Sequence, residues 1–150
     1  MQRVIYSSRW AAGLESDLDE TLRQILARSI HNNRMADISG LLIAHEGWFV
    51  QALEGPREHV ASAMERIVAD PRHTELVVLD RCLAECRAFR DWNMAAVRPE
   101  PQHRPMLAEL GLVAGTPGQG FTRTSAMKLL SAMSEAERRH ERLLLGLDAA

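Results

Sequence analysis

The chain has 150 residues, of which 46% are hydrophobic and 25% charged, and its formal net charge is −2. This length and composition are typical of one globular domain whose core is large enough to fold without disulfides or metal ions. No run of basic residues suggests direct nucleic-acid binding, and no stretch of about 18 apolar residues predicts a membrane span.

The N-terminus leads directly into an apolar strand and lacks the apolar core of a signal peptide, so we expect a cytoplasmic protein. Cys82 and Cys86 are the only cysteines, and their spacing fits neither a zinc ribbon nor a redox pair. On one strand they would lie about 13 Å apart, too far for a disulfide. Since the six histidines are scattered as well, we expect reduced thiols and no metal site.

Hydrophobic periodicity and turn residues predict seven elements in the first two thirds of the chain. In order they are a strand over 3–8, a helix from Ser16 or Asp17 to Asn32–Asn33, a hairpin with strands 38–44 and 48–53 and turn 45–47, a helix from Gly55–Pro56 to Asp70–Pro71, a buried strand at 76–79 extending towards Cys86, and a strand over 89–97. This β-α-β-β-α-β-β order predicts an α+β, ferredoxin-like sheet with two helices on one face.

The pattern of strands and helices ends near Pro99, where a linker marked by prolines begins. A short helix over 106–112, a loop over 115–120 and a longer helix over 124–145 are predicted beyond it. A capping-box pattern at Ser134 predicts that the longer helix breaks and restarts there. Because strand 48–53 is apolar on both faces, the second face of the sheet needs a cover, either this region or a partner subunit. We therefore divide the chain into a core domain, 1–98, and a C-terminal helical cap, 99–150.

Gln51 is the most informative residue for function. It shares a strand face with Phe49 and Leu53, so its amide is expected to point into an apolar layer. A buried amide without a partner costs about 1–3 kcal/mol, so Gln51 needs a hydrogen bond. Tyr6, the only tyrosine, lies within the first strand and offers its phenol. On these residues alone, a purely structural Tyr–Gln pair is the simpler interpretation.

Three motifs carry further information: Gln51-x-Leu53-Glu54-Gly55, Asp70-Pro71-Arg72-His73 and Phe89-x-Asp91-Trp92-x-Met94. Together with Tyr6 and Asn32–Asn33, they resemble the BLUF family of blue-light sensors, which bind a flavin, and the resemblance covers roughly residues 2–98. Two positions depart from the family pattern. Asp37 replaces a common glycine and Ala44 a common aromatic residue, which puts the geometry of the hairpin turn in doubt.

The resemblance implies that FAD, or alternatively FMN, places its ring between the two core helices. It implies that Gln51 bridges the Tyr6 phenol to the N5/O4 edge of the ring, and that Arg66 reaches the C2 carbonyl side. Trp92 and Met94 lie two residues apart on a predicted strand, so we expect them on one face, where they could compete for the space beside Gln51. The cofactor-binding residues implied in this way are Tyr6, Ile25, Ser29, Asn32, Asn33, Gln51, Arg66, Ile67, Asp70, His73 and Met94.

The function implied is that of a photoreceptor in which light drives electron and proton transfer from Tyr6 and rearranges the hydrogen bonds of Gln51. The 52 residues after residue 98 are too few for a cyclase or phosphodiesterase, so no enzymatic activity is expected. Signalling would then use a homo-oligomer and a downstream protein partner. Two alternatives remain open: a flavin-binding redox protein that works in the dark, and a ferredoxin-like interaction module without a cofactor.

Overall fold

The computed structural model describes residues 1–109 and 121–146. Two short 3₁₀ turns, Leu14–Asp17 and Pro101–His103, precede helices. The strands and α-helices in chain order are β1 (Gln2–Trp10), α1 (Leu18–Met35), β2 (Ser39–His45), β3 (Trp48–Gly55), α2 (Arg57–Ala69), β4 (His73–Leu83), β5 (Ala95–Val97), α3 (Arg104–Glu109) and α4 (Arg123–Leu144).

The five strands form one sheet in the order β4-β1-β3-β2-β5. All neighbouring strands are antiparallel except β2 and β5, which run parallel. The register of β1 on β3 sets Tyr6 opposite Gln51. The predicted α+β, ferredoxin-like class is confirmed, and the adjacent strands β1 and β3 carry the two residues that the sequence singled out.

Each face of the sheet has its own buried cluster. On one face Tyr6, Phe49 and Leu53 pack with residues of α1 and α2. On the other face Trp48 and Val50 pack with apolar residues of α4, namely Ala126, Leu129, Leu130 and Met133. Alternate side chains of a strand point to opposite faces, so a strand buried on both sides is apolar throughout. The C-terminal helix therefore covers the second face, as one of the two predicted alternatives requires.

The hairpin between β2 and β3 is intact despite the departures noted at Asp37 and Ala44. Its turn residues, Glu46 and Gly47, have φ angles of 42° and 95°. Positive φ at both central positions is typical of the type I′ turn, whose twist matches that of the flanking strands. Asp37 also adopts a left-handed conformation, with φ of 56°. This explains why glycine suits that position, and aspartate is among the residues that tolerate it.

Two strand predictions need correction. β4 is an edge strand with six of its eleven residues exposed, not a buried strand, and Val77 is 54% exposed. The predicted strand over 89–97 is reduced to Ala95–Val97. The backbone N–H groups of Ala88 and Phe89 donate to the Glu54 carboxylate at 2.9 and 2.7 Å. A side chain therefore takes the place of a neighbouring strand at Ala88 and Phe89. Further along, the carbonyl oxygen of Trp92 accepts from the backbone N–H of Gly40 in β2 at 3.1 Å.

The predicted break in the last helix is also wrong. α4 is continuous through Ser134, which is buried within the helix, and the capping box lies at Thr122 and Ser125 instead. The short helix predicted over 106–112 begins earlier, at Arg104. Residues 110–112 and the predicted loop at 115–120 lie outside the described residues. None of the helices within the described ranges is long and apolar enough to cross a membrane.

Candidate functional site

A cavity of about 700 Å³ lies between α1, α2 and the adjoining face of the sheet. This volume is within the usual range of about 300–1,000 Å³ for small-molecule sites. The helix residues that line it recur every three or four positions, as expected for one face of a helix. The lining residues are Tyr6, Ile25, Arg28, Ser29, Asn32, Asn33, Leu42, Phe49, Gln51, Leu53, Ala63, Arg66, Ile67, Ala69, Asp70, Pro71, Arg72 and His73.

At the buried end of the cavity, three side chains form a chain of hydrogen bonds. The Tyr6 hydroxyl donates to Gln51 Oε1, and Gln51 Nε2 donates to Met94 Sδ at 3.3 Å. A thioether is a weak acceptor, and the second N–H of the Gln51 amide has no protein acceptor among the described residues. The amide is thus only partly satisfied by the protein, although Gln51 is 4% exposed.

The Tyr6 phenol is held in its neutral form. Burial raises its pKa well above the ordinary value, and the negative charge of Asp70 raises it further. Because a neutral phenol can donate a hydrogen bond, Gln51 presents its oxygen to Tyr6. It follows that the Gln51 nitrogen points to the opposite side, where Met94 lies.

Asp70, Arg72 and His73 form a polar group where α2 meets β4. Arg72 Nη2 donates to Asp70 Oδ2 at 2.6 Å, and Arg72 Nε donates to the same carboxylate at 3.0 Å. Burial raises the pKa of the Asp70 carboxyl, but the hydrogen bonds and charge of Arg72 outweigh it and leave that pKa below its ordinary value. The carboxylate is therefore ionised and orients the Arg72 guanidinium at the cavity.

His73 links the strands to the end of α2. Its Nε2 faces the carbonyl oxygen of Ile67, and its Nδ1 lies 2.8 Å from the hydroxyl oxygen of Ser8. A carbonyl can only accept, so Nε2 is the donor, and in the neutral ring Nδ1 accepts from Ser8. This arrangement fixes the wall of the cavity beside Tyr6, whose ring packs edge-on to His73 at 6.1 Å.

Asn33 connects the cavity to the segment that carries Met94. Its Nδ2 donates to the carbonyl oxygen of Asn93 at 2.8 Å, and Asn93 Nδ2 donates to the carbonyl oxygen of Ile38 at 3.1 Å. Among the described residues, the Asn33 Oδ1 atom has no donor, and the neighbouring Asn32 side chain has no hydrogen-bond partner. Both amides line the cavity and can bind the polar edge of a ligand.

The structure brings together almost all of the side chains predicted to bind the cofactor. Each of them lines the cavity except Met94, whose Sδ accepts a hydrogen bond from Gln51 Nε2. Sequence reasoning gave no role in the site to Arg28 or Arg72. Arg28 lies one helical turn from Ile25 and from Asn32, a spacing that could have revealed it. Arg72 belongs to a quoted motif, but its orientation depends on Asp70.

Trp92 lies away from the cavity, and its predicted position beside Met94 on one strand face is wrong. Residues 89–94 do not form a strand, so the alternation rule does not apply to them. Trp92 packs with the cluster on the α4 side of the sheet, and its Nε1 donates to Glu141 Oε1 at 2.9 Å. Met94 belongs to the cluster on the α1 and α2 side.

The groups at the cavity fit a flavin. A flavin ring is flat, largely apolar, and carries carbonyls and ring nitrogens along one edge. Ile25 and Ile67 offer apolar contacts from the two helices, while Gln51 offers a free N–H and Asn33 a free oxygen. Apolar walls combined with placed polar groups that fix orientation are typical of cofactor sites.

Comparison with known proteins agrees with this assignment. The family model of BLUF, described as sensors of blue-light using FAD, matches residues 1–95. The beta subunit of the photoactivated adenylate cyclase of Euglena longa is 31% identical over 80 residues, which are 53% of this chain and 9% of that protein. The chain thus spans less than a tenth of the length of that relative.

Two solved structures resemble nearly the whole chain. The photo-activated state of BlsA superposes with a TM-score of 0.79 at 26% identity, covering 89% of this chain and 94% of that one. The dark-state structure of BlrB, described as a BLUF protein, gives a TM-score of 0.67 at 27% identity and covers 90% and 96% of the two chains. With its matching fold, its cavity and the family match over most of its length, this chain belongs to the BLUF family of flavin-binding blue-light sensors.

Proposed function

We propose that this blue-light sensor binds FAD without a covalent bond and that Tyr6 and Gln51 carry out its photochemistry. The observation that carries the proposal is the buried hydrogen bond from the Tyr6 hydroxyl to Gln51 Oε1, next to an amide N–H without a protein acceptor among the described residues. A purely structural Tyr–Gln pair would not leave that donor unpaired beside a cavity of about 700 Å³.

When bound, the flavin supplies the absorption of blue light and an excited state that is a strong oxidant. The Tyr6 phenol would give an electron and then a proton to the ring and take both back, so that neither partner would be oxidised or reduced overall. During this exchange the Gln51 amide, which can both donate and accept, rotates or changes tautomer. Leaving a group unpaired there is costly, so the amide has two discrete hydrogen-bonding states. That pair of states makes the site a switch.

Other residues of the cavity bind and orient the ring. Asn32 and Asn33 serve its pyrimidine edge, Ile25 and Ile67 flank its faces, and Ser29, Asp70 and His73 complete the wall.

The family resemblance assigns Arg66 to the C2 carbonyl side. The Arg72 guanidinium suits that role better, because it is partly buried and already oriented by Asp70, whereas Arg66 is exposed. A carbonyl needs a donor at a fixed position, which an oriented guanidinium provides.

The output is proposed to pass through α4 to a homo-oligomer and a downstream protein. Trp92 binds α4 through Glu141, and Arg138 of α4 approaches Asp91 at 3.3 Å. At the end of this helix Leu144 and Leu145 are 74% and 72% exposed. The domain boundary at residue 98 stays a prediction, and the family match ends close to it, at residue 95.

The photochemistry is tested by the absorption spectrum of the purified protein before and after blue light, with recovery followed in the dark. We expect a flavin spectrum that shifts slightly to the red and reverts, and a shift that is lost in Gln51→Leu and Tyr6→Phe. Gln102→Leu, at an exposed glutamine, is the matched control. A flavin spectrum without a shift would favour a redox role in the dark, and a colourless folded protein would favour a module without cofactor.

The output is tested with the double substitution Leu144→Ser and Leu145→Ser, which leaves the buried face of α4 intact. Size-exclusion chromatography in darkness and under blue light should show that the variant loses the larger species of the unchanged protein. Identical elution profiles of the two proteins in both conditions would remove this surface from the proposal.

A further inference from the structure

The mouth of the cavity carries more positive charge than a neutral ring requires. Three arginines and one aspartate line the cavity: Arg28, Arg66, Arg72 and Asp70. Asp70 is paired with Arg72, so two positive charges remain without a neighbouring acid in the lining. Two uncompensated guanidinium groups at one opening indicate an anionic ligand.

Arg28 and Arg66 lie at the outer end of the cavity. Arg28 is on α1 and Arg66 is on α2, and both side chains are exposed. By contrast, Tyr6 and Gln51 at the inner end are 3% and 4% exposed. A ligand whose reactive part reaches Gln51 therefore extends outwards between one arginine from each helix.

Neither guanidinium is engaged by an acidic residue. Within the described residues, Arg28 has no hydrogen bond or ion pair, and Arg66 donates only to Ser62 Oγ at 3.2 Å. By contrast, Arg23 on the same helix pairs with Glu20 at 3.4 Å. Both groups are thus free to bind an oxyanion, for which the planar guanidinium fork is well suited.

We propose that Arg28 and Arg66 form a phosphate subsite that makes this chain select phosphorylated flavins over riboflavin. The inference rests on the proposed function, because the ring of the same ligand occupies the inner end. The phosphate attached to the ribityl chain, present in both FMN and FAD, is the group recognised. FMN and FAD therefore bind more tightly than riboflavin, and the preference weakens as salt screens the exposed charges.

The test is a titration of the full chain, freed of cofactor, with riboflavin, FMN and FAD, followed by quenching of flavin fluorescence. We expect riboflavin to bind on the order of tenfold more weakly than FMN. Arg28→Ala and Arg66→Ala should each weaken FMN binding about two- to fivefold, the range of exposed ion pairs, and leave riboflavin binding unchanged. Arg57→Ala, at an exposed arginine of α2 that does not line the cavity, is the control.

The outcomes separate the two proposals. Equal affinities for riboflavin and FMN, with a light-induced red shift in both complexes, would overturn the phosphate subsite and leave the photosensor standing. The subsite is likewise overturned if the preference survives in the double variant Arg28→Ala, Arg66→Ala, or falls equally in Arg57→Ala. If none of the three flavins binds to the folded chain, the proposed function fails together with the subsite.

Discussion

Trp92 and Met94 are two residues apart in the chain but lie on opposite faces of the sheet. Met94 accepts a hydrogen bond from Gln51 on the cavity side, whereas Trp92 donates one to Glu141 on the α4 side. The residue between them, Asn93, is held through its side chain by Ile38 and through its carbonyl by Asn33. We therefore predict that a change at Gln51 is transmitted to α4 through this short segment, which is held at Asn93.

Replacing Met94 with leucine should change the photoresponse and leave the fold intact. Leucine has nearly the same volume, so the loss of stability should stay below about 1.5 kcal/mol, but Gln51 Nε2 loses its acceptor. We expect bound flavin with an altered red shift or rate of dark recovery, measured by absorption. Met127→Leu, at a methionine packed on the α4 side, is the matched control. Unchanged shift and recovery in Met94→Leu would show that the thioether contact has no role.

Replacing Trp92 with phenylalanine should loosen α4. The substitution keeps an aromatic ring but removes the hydrogen bond to Glu141, which is worth about 1 kcal/mol. Urea unfolding should show this loss, and backbone amides of α4 should exchange hydrogen faster. Glu141→Gln retains an oxygen acceptor and should have a smaller effect. Equal exchange rates in the α4 of Trp92→Phe and the unchanged protein would contradict the proposed link.

Glu54 should be among the most costly positions to truncate. Its carboxylate is fully buried and accepts from Arg3 Nε at 2.7 Å and from the N–H groups of Ala88 and Phe89. Glu54→Ala leaves a guanidinium and two backbone donors without their acceptor, so we expect a loss of about 3–5 kcal/mol. Glu135→Ala, on the exposed face of α4, should stay within about 0.5 kcal/mol. The free energy of unfolding of both variants can be measured by urea denaturation. Similar losses in Glu54→Ala and Glu135→Ala would contradict the prediction.

Stability should fall at alkaline pH because of Tyr6. Burial raises the pKa of its phenol, so the folded chain keeps the proton when the unfolded chain, with an ordinary pKa of about 10, loses it. The contribution is fully present below about pH 10 and is lost as the pH rises above it. Tyr6→Phe should lack this component in unfolding measurements across that range.

Tyr6 is the only tyrosine, so the ultraviolet absorbance of tyrosinate reports on it alone. We expect the tyrosinate absorbance to rise at the same pH at which the chain unfolds. Tyrosinate that appears in the folded protein near pH 10 would contradict the raised pKa.

The placement of Tyr6 and Gln51 could be predicted from the sequence, because it depends on a local rule. Side chains alternate along a strand, and the apolar neighbours of Gln51 show which face is buried. The same rule failed at residues 89–94, because side chains from distant parts of the chain hold this segment. Glu54 accepts from the N–H of Phe89, and Asn33 donates to the carbonyl oxygen of Asn93. Similarly, the exposure of β4 depends on its place at the edge of the sheet, which residue periodicity does not reveal.

The residues of the candidate site could be predicted best where several of them lie on one face of a single helix. Ile25, Ser29 and Asn32 follow one another at helical spacing, and all of them line the cavity. The relation of Trp92 to α4 could not be predicted, because it depends on a helix almost fifty residues later in the chain. Pairing across such distances follows from the packing of the whole sheet and leaves no local pattern.

The described side chains that line the cavity all come from residues 6–73. Among later residues, Met94 accepts a hydrogen bond from Gln51, and the carbonyl oxygen of Asn93 accepts one from Asn33. We expect the cavity-lining part of the chain to tolerate changes in the covering part, provided that the segment at residues 93–94 is kept. Such a division would let one light-absorbing unit be joined, over evolution or by engineering, to many different responses.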